Sequence, residues 1–476
     1  MTRGHASQAA RPARPFRRIL VANRGEIAVR IVRSCQRLGI ETVLAVSDPD
    51  SDSVPARLAD HTIRIGPARP SESYLDIGAV VGAALAARVD AIHPGYGFLS
   101  ENPRFASACA AAGVVFIGPD EAHLAAVGDK LRARDHAVTA GLPVLPGGVA
   151  GDPGTAAALA DEIGWPVLVK AVGGGGGRGL RPVREPARLT ETVDRAMAEA
   201  HAAFGDQRVY LERYLRGARH IEVQLLGDGE TVIHLGDRDC SVQRRYQKLV
   251  EEAPAPLLSD GLRGRLRRAA VAFGEQLKSR GLGTVEFLVD RERDAFYFLE
   301  MNARIQVEHP VTEAISGLDL VAEQLAIAEG RPLRLAQDDV ELTGHAIECR
   351  INAEDWTRDF LPSPGTVTDA AFPVGQGIRV DTHVQAGSTV PPWYDSLLAK
   401  LIVSGRDRAG AVARLRRALS LCEINGVTTN IPMLVAVTAQ DEFEAGGADT
   451  GYLARFLGSH PAPVRHSAFT AGGPGG

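Results

Sequence analysis

The chain has 476 residues, 45% of them apolar, and a formal net charge of −5 from 53 Lys and Arg residues against 58 Asp and Glu residues. This size predicts about three domains with hydrophobic cores, and the weakly acidic balance argues against nucleic-acid binding as the main role. No apolar run approaches the ~18 residues of a membrane-spanning helix. The five cysteines are scattered and form no C-x-x-C pair, which predicts a reducing cytoplasm rather than a disulfide or zinc framework.

The N-terminal part of the chain alternates short strands with helices. Residues 1–15 are basic without an apolar signal core, and we expect a disordered extension there. Residues 16–130 contain the predicted strands RRILVAN, ETVLAVSD, VDAIHPG and VVFIGP, with a helix in IAVRIVRSCQRLG. This alternation predicts a parallel sheet covered on both faces. Because NRGE is not G-x-G-x-x-G, the domain is Rossmann-like in outline only, and no dinucleotide is inferred.

The remaining chain is predicted to form a small lid and a longer core. A Pro- and Gly-rich stretch at residues 141–154 has the composition of a linker. The lid, residues 145–215, contains the strands WPVLVKA and VYLERYL with the run GGGGGRG between them. Residues 216–458 contain further strands, including IEVQLLG, TVEFLVD and AFYFLEMN, and residues 459–476 are expected to be disordered. The fold class predicted is therefore mixed, α/β and α+β.

The glycine run is a candidate phosphate-binding loop. Gly173–Gly177, followed by Arg178 and Gly179, comes soon after the strand that ends near Lys170. Five glycines leave backbone N–H groups free to close over phosphate oxygens. The run is not a Walker A loop, since no G-K-[ST] follows. A flexible linker is the alternative, but a linker rarely lies between a strand and a helix inside a small domain.

A predicted hairpin carries a candidate metal site. In TVEFLVDRERDAFYFLEMN two apolar strands flank a charged turn, and Glu286 and Glu300 lie within the strands. Because side chains alternate along a strand, Glu300 and Asn302 share one face, and a hairpin register with an even sum places Glu286 beside them. Two carboxylates and an amide oxygen suit Mg²⁺. The alternative is a solvent-facing sheet edge.

The same alternation continues beyond the hairpin. If the segment stays extended, one face displays Glu300, Asn302, Arg304, Gln306 and Glu308. A metal-binding pair, a fixed cation and a candidate general base would then lie in one row, about 3.3 Å of rise per residue apart.

Lysine is rare in this chain: five of the basic residues are Lys and 48 are Arg. A compact ammonium does not substitute for a planar guanidinium, so each retained lysine is a candidate for a specific task. The five are Lys130, Lys170, Lys248, Lys278 and Lys400.

Several long motifs point to one family: ILVANRGEIAVRI, AIHPGYGFLSEN, KAVGGGGGRGL, RDCSVQRRYQKLVEEAPAP, EMNARIQVEHPVTE and ECRINAED. From Arg18 to Leu457 the chain resembles biotin carboxylase, the ATP-grasp subunit of biotin-dependent carboxylases. The resemblance implies an ATP-grasp lid and core followed by a C-terminal biotin-carboxylase domain. It implies ATP and Mg²⁺ (or Mn²⁺) as cofactors, and biotin as a substrate carried on another protein.

The resemblance also implies roles for individual residues. ATP would be bound by Lys130, Lys170, Gly175, Gly176, Gly177, Glu212, Arg213, Leu215, His220, Gln243, Glu286, Leu288 and Glu300. The metal ions would be bound by Glu286, Glu300 and Asn302. Bicarbonate and biotin would be bound by Lys248, Arg304, Gln306, Val307, Glu308 and Arg350. Among the catalytic residues Lys248, Arg304, Glu308 and Arg350, Glu308 would deprotonate bicarbonate and Arg350 would hold the ureido oxygen of biotin. Lys278 and Lys400 are interpreted as surface residues.

The resemblance implies a division of labour between different proteins. No methionine has a lysine neighbour, unlike a biotin attachment site, and the residues after Leu457 are fewer than the ~40 that a carrier domain needs. We therefore expect a separate biotin carboxyl carrier protein and separate carboxyltransferase subunits, with this chain as a homodimer. The carboxyl acceptor stays open among acetyl-CoA, another acyl-CoA, pyruvate and urea.

One position departs from the family pattern. Tyr246 stands where many members have His, on the ribose side of the nucleotide site. A phenol still donates or accepts a hydrogen bond, so ATP binding is not excluded. Two alternatives remain: a different ATP-grasp ligase, against which the complete motifs around Glu308 and Arg350 argue, and a nucleotide-binding regulatory homologue with degraded catalysis.

Overall fold

The computed structural model describes residues 15–172, 180–204 and 207–460. Nearly all of the two terminal segments that we expected to be disordered lies outside this description. So does the whole glycine run, residues 173–179 with Gly175, Gly176 and Gly177, and the prediction of a phosphate-binding loop is therefore not tested by the structure.

The N-terminal domain has the predicted parallel sheet with helices between its strands. Five strands pair in the order β3-β2-β1-β4-β5, all parallel. The elements are β1 (Arg18–Val21), α1 (Gly25–Arg37), β2 (Glu41–Ser47), α2 (Val54–Leu58), β3 (His61–Gly66), α3 (Ile77–Ala86), β4 (Ala91–His93), α4 (Pro103–Ala111), β5 (Val115–Phe116), α5 (Glu121–Gly128) and α6 (Lys130–Thr139).

The NRGE turn joins β1 to α1 and fixes where α1 begins. Gly25 has a φ of +67°, a left-handed conformation that a side chain would strain. The Arg24 guanidinium lies 2.9 Å from Asp50 and stacks over the Tyr394 ring at 4.4 Å, so the turn is tied to the C-terminal part of the chain. As a result Glu26, in the first turn of α1, is directed inwards and buried.

A second, smaller sheet lies within residues 145–215, the range that we predicted to be a lid. Its four strands pair antiparallel in the order β6-β9-β7-β8. The elements are β6 (Gly147–Ala150), α7 (Pro153–Ile163), β7 (Val167–Ala171), β8 (Arg181–Val183), α8 (Leu189–Phe204) and β9 (Val209–Arg213). The linker interpretation of residues 141–154 was wrong at β6, because Gly147 and Gly148 pair with β9, with Gly147 close against β9 and Gly148 close to Leu159 of α7.

The largest sheet has eight strands in the order β14-β13-β10-β11-β12-β15-β22-β20 and extends from the centre of the chain into its C-terminal part. The central elements are β10 (Arg219–Asp228), β11 (Val232–Arg244), β12 (Gln247–Ala253), α9 (Asp260–Gln276), β13 (Arg280–Asp290), β14 (Ala295–Asn302), α10 (His309–Ser316) and α11 (Leu320–Ala328). The C-terminal elements are β15 (His345–Asn352), β16 (Glu354–Asp355), β17 (Leu361–Pro362), β18 (Gly365–Thr366), β19 (Asp369–Ala371), β20 (Ile378–Thr382), β21 (Thr389–Val390), β22 (Leu397–Gly405), α12 (Arg408–Leu419), β23 (Glu423–Asn425), α13 (Ile431–Thr438), α14 (Asp441–Glu444) and α15 (Tyr452–Ser459).

The predicted hairpin register is confirmed. Glu286 pairs with Glu300 and Thr284 with Asn302, so the carboxylates are side by side on neighbouring strands. Glu286 is 4% exposed, which excludes the solvent-facing alternative for this residue. The expected extension of the row to Glu308 was wrong, because β14 ends at Asn302 and Glu308 has already turned into the N-cap of α10.

All five cysteines are buried and free. In the described part of the chain, no helix combines the length and the apolar character that crossing a bilayer requires.

The hairpin depends on an aromatic core beneath its carboxylates. Phe287 is fully buried and its ring meets that of Phe296 edge-to-face at 5.3 Å. We expect Phe287→Ala to lower the free energy of unfolding by about 3–5 kcal/mol because it leaves a cavity in this core. Denaturant titration checks this, with Val374→Ala, at a side chain 92% exposed, as the unchanged control. Equal stability of the two variants would contradict this account of the hairpin.

Candidate active site

A cleft of about 1700 Å³ runs between the N-terminal domain, the lid and the large sheet. It brings together residues that are far apart in the sequence. The predicted site residues that line it are Lys130, Lys170, Glu212, Arg213, Leu215, His220, Gln243, Lys248, Glu286, Leu288, Glu300, Asn302, Arg304, Gln306, Val307 and Arg350. Glu308 lies directly behind this lining and is fully buried.

Two ammonium groups are placed at the lid side of the cleft. Lys170, on β7, lies 2.7 Å from the Glu212 carboxylate of the neighbouring strand β9. Burial and the nearby Lys170 charge lower the pKa of Lys130, at the start of α6. Two cations brought together against their repulsion suit a polyanion such as a chain of phosphates.

The hairpin carboxylates form the candidate metal site. Burial and the neighbouring Glu286 carboxylate raise the pKa of Glu300. The Asn302 amide donates to Glu286 at 2.9 Å, and His220 Nε2 lies 2.8 Å from the other Glu286 oxygen. Two adjacent carboxylates that repel each other, with an amide oxygen beside them, are the donor set expected for Mg²⁺. The residues present therefore fit a divalent cation.

Lys248 is the centre of the charge arrangement. Its ammonium donates to Glu222 at 2.6 Å, to Glu286 at 2.9 Å and to Glu308 at 2.7 Å. Burial alone would lower the pKa of Lys248, but these three carboxylates hold it well above its ordinary value. Burial would likewise raise the pKa of Glu308, yet Lys248 and Arg350 keep it well below its usual range. Glu308 is consequently ionised at neutral pH.

Arg350 bridges two buried carboxylates on the far side of Glu308. Its Nε donates to Glu251 at 2.6 Å and its Nη2 donates to Glu308 at 3.0 Å. Arg350 lies on β15, and Glu251 lies on the adjacent strand β12. The guanidinium is thereby held at the cleft wall with a fixed orientation.

Arg304 lies just after β14, in the part of the predicted row that is not a strand. Its guanidinium donates to Asn302 at 3.1 Å, to Gln306 at 2.9 Å and to Glu101 at 2.9 Å. The chain is no longer a strand here, but these contacts still align the side chains of residues 302–306 along the cleft. Glu101 comes from the N-terminal domain, so Arg304 also joins two parts of the fold.

Three family models match consecutive parts of the chain. They are "Biotin carboxylase, N-terminal domain" at residues 15–124, "Carbamoyl-phosphate synthase L chain, ATP binding domain" at residues 129–336 and "Biotin carboxylase C-terminal domain" at residues 348–455. The biotin carboxylase of Nostoc sp. is 48% identical over 441 residues, which are 92% of this chain and 98% of that protein. The chain belongs to the biotin carboxylase family.

Other relatives agree with this membership. A pyruvate carboxylase subunit of Methanothermobacter thermautotrophicus is 47% identical over 453 residues, 94% of this chain and 92% of that protein. The biotin carboxylase domain dimer of Hydrogenobacter thermophilus 2-oxoglutarate carboxylase, solved with MgADP, ADP and bicarbonate, matches with a TM-score of 0.89 and 45% identity over 93% of this chain and 98% of that one. The expected fold class, with its ATP-grasp core, and the expected enzyme class, an ATP-dependent ligase, are confirmed.

Sequence reasoning missed several charged residues of this biotin carboxylase fold. Arg238 is fully buried and contacts Glu222, Gln224, Thr284 and Thr312, so it holds the carboxylate that in turn holds Lys248. The alternation Glu-x-Gln in the otherwise apolar strand IEVQLLG was the signal that could have found Glu222.

The interpretation of Lys400 as a surface residue was wrong. Its side chain is completely buried in β22, beside Glu26. A lysine in an otherwise apolar strand, LLAKLIV, was the available signal. Lys278, interpreted in the same way, is exposed.

Tyr246 lines the cleft at the tip of the β11–β12 hairpin. Arg245 and Tyr246 both have positive φ, 47° and 68°, as a type I′ turn requires. Burial, together with the Tyr214 and Glu212 charges, raises the pKa of Tyr246 to about 12, so the phenol is neutral and both donates and accepts.

Removing the Lys248 ammonium should destabilise the metal-free, nucleotide-free protein in a pH-dependent way. Lys248 lowers the pKa values of Glu286 and Glu308 from their ordinary value of 4.5. The pairing with Lys248 therefore stabilises the fold fully above pH 4.5, and this stabilisation is lost as the pH falls towards the lowered pKa values. We expect Lys248→Met to cost about 3–5 kcal/mol at pH 8, where uncompensated carboxylates remain ionised.

The difference in unfolding free energy between the variant and wild type should shrink as the pH falls to 5. Without Lys248, burial raises the pKa of the unpaired carboxylates, so they take up protons in this range. Denaturant titrations with a chelator at both pH values measure it. Lys278→Met, at an exposed lysine, is the matched control. A difference that is equal at both pH values would show that packing, rather than charge, accounts for the loss.

Proposed function

We propose that this chain carboxylates biotin on a separate carrier protein, using ATP and bicarbonate and passing through carboxyphosphate. The position of Glu308 carries the proposal: its carboxylate lies 2.7 Å from Lys248 and 3.0 Å from Arg350, next to the Glu286–Glu300 pair. A base flanked by two cations, beside a metal-binding pair, suits the activation of bicarbonate by ATP.

In this proposal the lid side of the cleft binds ATP. Lys130 and Lys170 neutralise phosphate charge, and Glu212, Arg213 and Leu215 lie where the adenine would be held. His220, Gln243 and Leu288 line the adjacent wall. Glu286, Glu300 and Asn302 would hold Mg²⁺ or Mn²⁺, which supplies charge neutralisation for phosphoryl transfer when bound. The glycines at 175–177, outside the described residues, are proposed to close over the phosphates.

Bicarbonate is activated next to Glu308. Lys248, Arg304, Gln306 and Val307 hold the anion while Glu308 accepts its proton. A bicarbonate oxygen then attacks the γ-phosphorus, forming carboxyphosphate and releasing ADP. The two cations beside Glu308 keep its carboxylate ionised at neutral pH, so it carries no proton of its own when bicarbonate arrives.

The second half of the proposed reaction uses Arg350. Carboxyphosphate breaks down to CO₂ and phosphate, and the phosphate removes the proton from biotin N1. Nitrogen N1 then attacks CO₂, while Arg350 stabilises the negative ureido oxygen. The buried Glu251 contact fixes Arg350 for this role before the substrate arrives.

The proposal also covers the assembly of this chain and the pathway in which it works. We infer a cytoplasmic homodimer that works with separate carrier and carboxyltransferase subunits, as the biotin carboxylase component of an acetyl-CoA or other acyl-CoA carboxylase. The domain-dimer structure of the Hydrogenobacter thermophilus relative supports the dimer. A pyruvate carboxylase component is the second candidate, because the chain is 47% identical to the pyruvate carboxylase subunit of Methanothermobacter thermautotrophicus.

The first test is ADP release by the purified chain with Mg-ATP, with and without bicarbonate and free biotin. We expect release that depends on bicarbonate and rises with biotin, because biotin consumes the CO₂ formed from carboxyphosphate. Turnover indifferent to biotin would favour another ATP-grasp ligase. ATP binding without any turnover would favour a regulatory homologue, and Tyr246→His would then be the next variant.

Glu308→Gln tests the proposed base. We expect kcat to fall by about 10²–10⁴-fold, since the amide cannot accept the bicarbonate proton. ATP affinity, measured by calorimetry, should remain within about twofold, because Glu308 lies behind the bicarbonate end of the cleft. Glu292→Gln, at an exposed residue of the hairpin turn, is the matched control. A large loss of ATP affinity would place Glu308 in the nucleotide site instead.

A further inference from the structure

Lys400 is a buried cation whose role the reaction described above does not include. Its side chain has no exposed surface, and its ammonium donates to the Val307 backbone carbonyl at 2.9 Å. The same ammonium lies 3.1 Å from Glu26 and 4.0 Å from Asp381. One charge in the C-terminal part of the sheet thus joins α1, β20 and the loop that leads into Glu308.

This arrangement is costly to build and therefore needs its partners. An ammonium group that is buried away from water strongly destabilises a fold unless acidic groups lie close to it. Glu26 comes from the NRGE turn, and Asp381 accepts hydrogen bonds from Nε and Nη2 of Arg379, at 2.8 and 2.7 Å. The two carboxylates therefore hold the Lys400 charge from two sides, and the Val307 carbonyl, which accepts the Lys400 hydrogen bond, is held in turn.

The Val307 carbonyl controls the orientation of one peptide of the bicarbonate loop. In a trans peptide the carbonyl and the following N–H point in opposite directions. Drawing the Val307 carbonyl towards Lys400 directs the Glu308 N–H the other way and sets the start of α10. Val307 lines the cleft and Glu308 follows it, so a rotation of this peptide would move both groups relative to the substrate.

Glu26 extends the same contact to a second wall of the cleft. Its other carboxylate oxygen accepts a hydrogen bond from the Tyr96 hydroxyl. Tyr96 also lines the cleft and comes from the motif AIHPGYGFLSEN. The path Val307–Lys400–Glu26–Tyr96 therefore connects two lining residues from distant segments through the buried Lys400 and Glu26 side chains.

We propose that Lys400 is a positioning residue for bicarbonate activation, which it serves by holding the Val307–Glu308 peptide against Glu26. This inference rests on the proposed bicarbonate site. A solely structural lysine would need acidic partners but no bond to the loop that carries the base. Lysine rather than arginine suits the position, because its compact ammonium reaches a carbonyl and two carboxylates inside a closed space.

The test compares wild type with Lys400→Met and with the double variant Lys400→Met/Glu26→Gln. Methionine keeps the length of the side chain and removes the ammonium. The second substitution prevents Glu26 from being left as an uncompensated buried charge, so the double variant isolates the loss of the Val307 contact. Lys278→Met is the matched control at an exposed lysine.

We expect the double variant to lose about tenfold to a hundredfold in kcat/KM for bicarbonate, the range for a misplaced catalytic group. Its ATP dissociation constant should stay within about twofold of wild type, because the Lys400 contacts with Val307, Glu26 and Asp381 involve none of the proposed ATP-binding residues. A loss confined to bicarbonate separates a positioning role from general damage to the fold, because general damage would weaken the binding of both substrates.

Unchanged bicarbonate kinetics in a folded double variant would overturn the proposal. So would equal losses of affinity for ATP and of kcat/KM for bicarbonate. Failure of both variants to fold would also overturn it, because Lys400 would then have a stabilising role only. Failure of the proposed function is a separate result. It would appear in wild type as ADP release that does not depend on bicarbonate.

Discussion

The site depends on one ammonium placed among three carboxylates that water barely reaches. Glu222 and Glu308 are fully buried and Glu286 is nearly so, and together they would repel one another strongly without Lys248. Each of these acids lies on a different element: β10, β13 or the start of α10. Charge compensation therefore requires that the strands and the helix meet at this point, and the local fold and the charge arrangement stabilise each other.

The same constraint links the parts of the chain. Lys248 lies on β12, which pairs with β15 of the C-terminal part, and β15 supplies Arg350. The N-terminal domain supplies Glu101 to Arg304 and Glu26 to Lys400. The domains also share an apolar core, in which Ile19 and Ile27 pack in one cluster with Leu226 and Ile305, and the ionic contacts add to this packing at the cleft. The substrate side of the molecule is consequently formed by residues separated by hundreds of positions in the sequence.

The sequence was sufficient for features governed by local periodicity. The parallel N-terminal sheet and the Glu286–Glu300 register followed from alternation and turn chemistry, and both are observed. What could not be predicted depends on tertiary contacts. Beyond Asn302, the side chains are aligned by the Arg304 hydrogen bonds to Asn302 and Gln306 rather than by strand geometry. The periodicity of the sequence does not reveal such contacts. Lys400 is buried because partners from distant segments neutralise it, and its own neighbours in the chain do not reveal them.

The scarcity of lysine has a physical explanation in these contacts. With 48 arginines against five lysines, the chain uses guanidinium wherever a planar fork serves, as at Arg238, which reaches Glu222 together with amide and hydroxyl groups. Lys248 and Lys400 instead each meet three oxygens that converge from different elements. A compact ammonium with three rotatable donors meets its oxygens at a single point, whereas Arg238 reaches its partners with nitrogens spread across the planar guanidinium. Oxygens that converge on one buried point therefore favour lysine, and oxygens spread around a plane favour arginine.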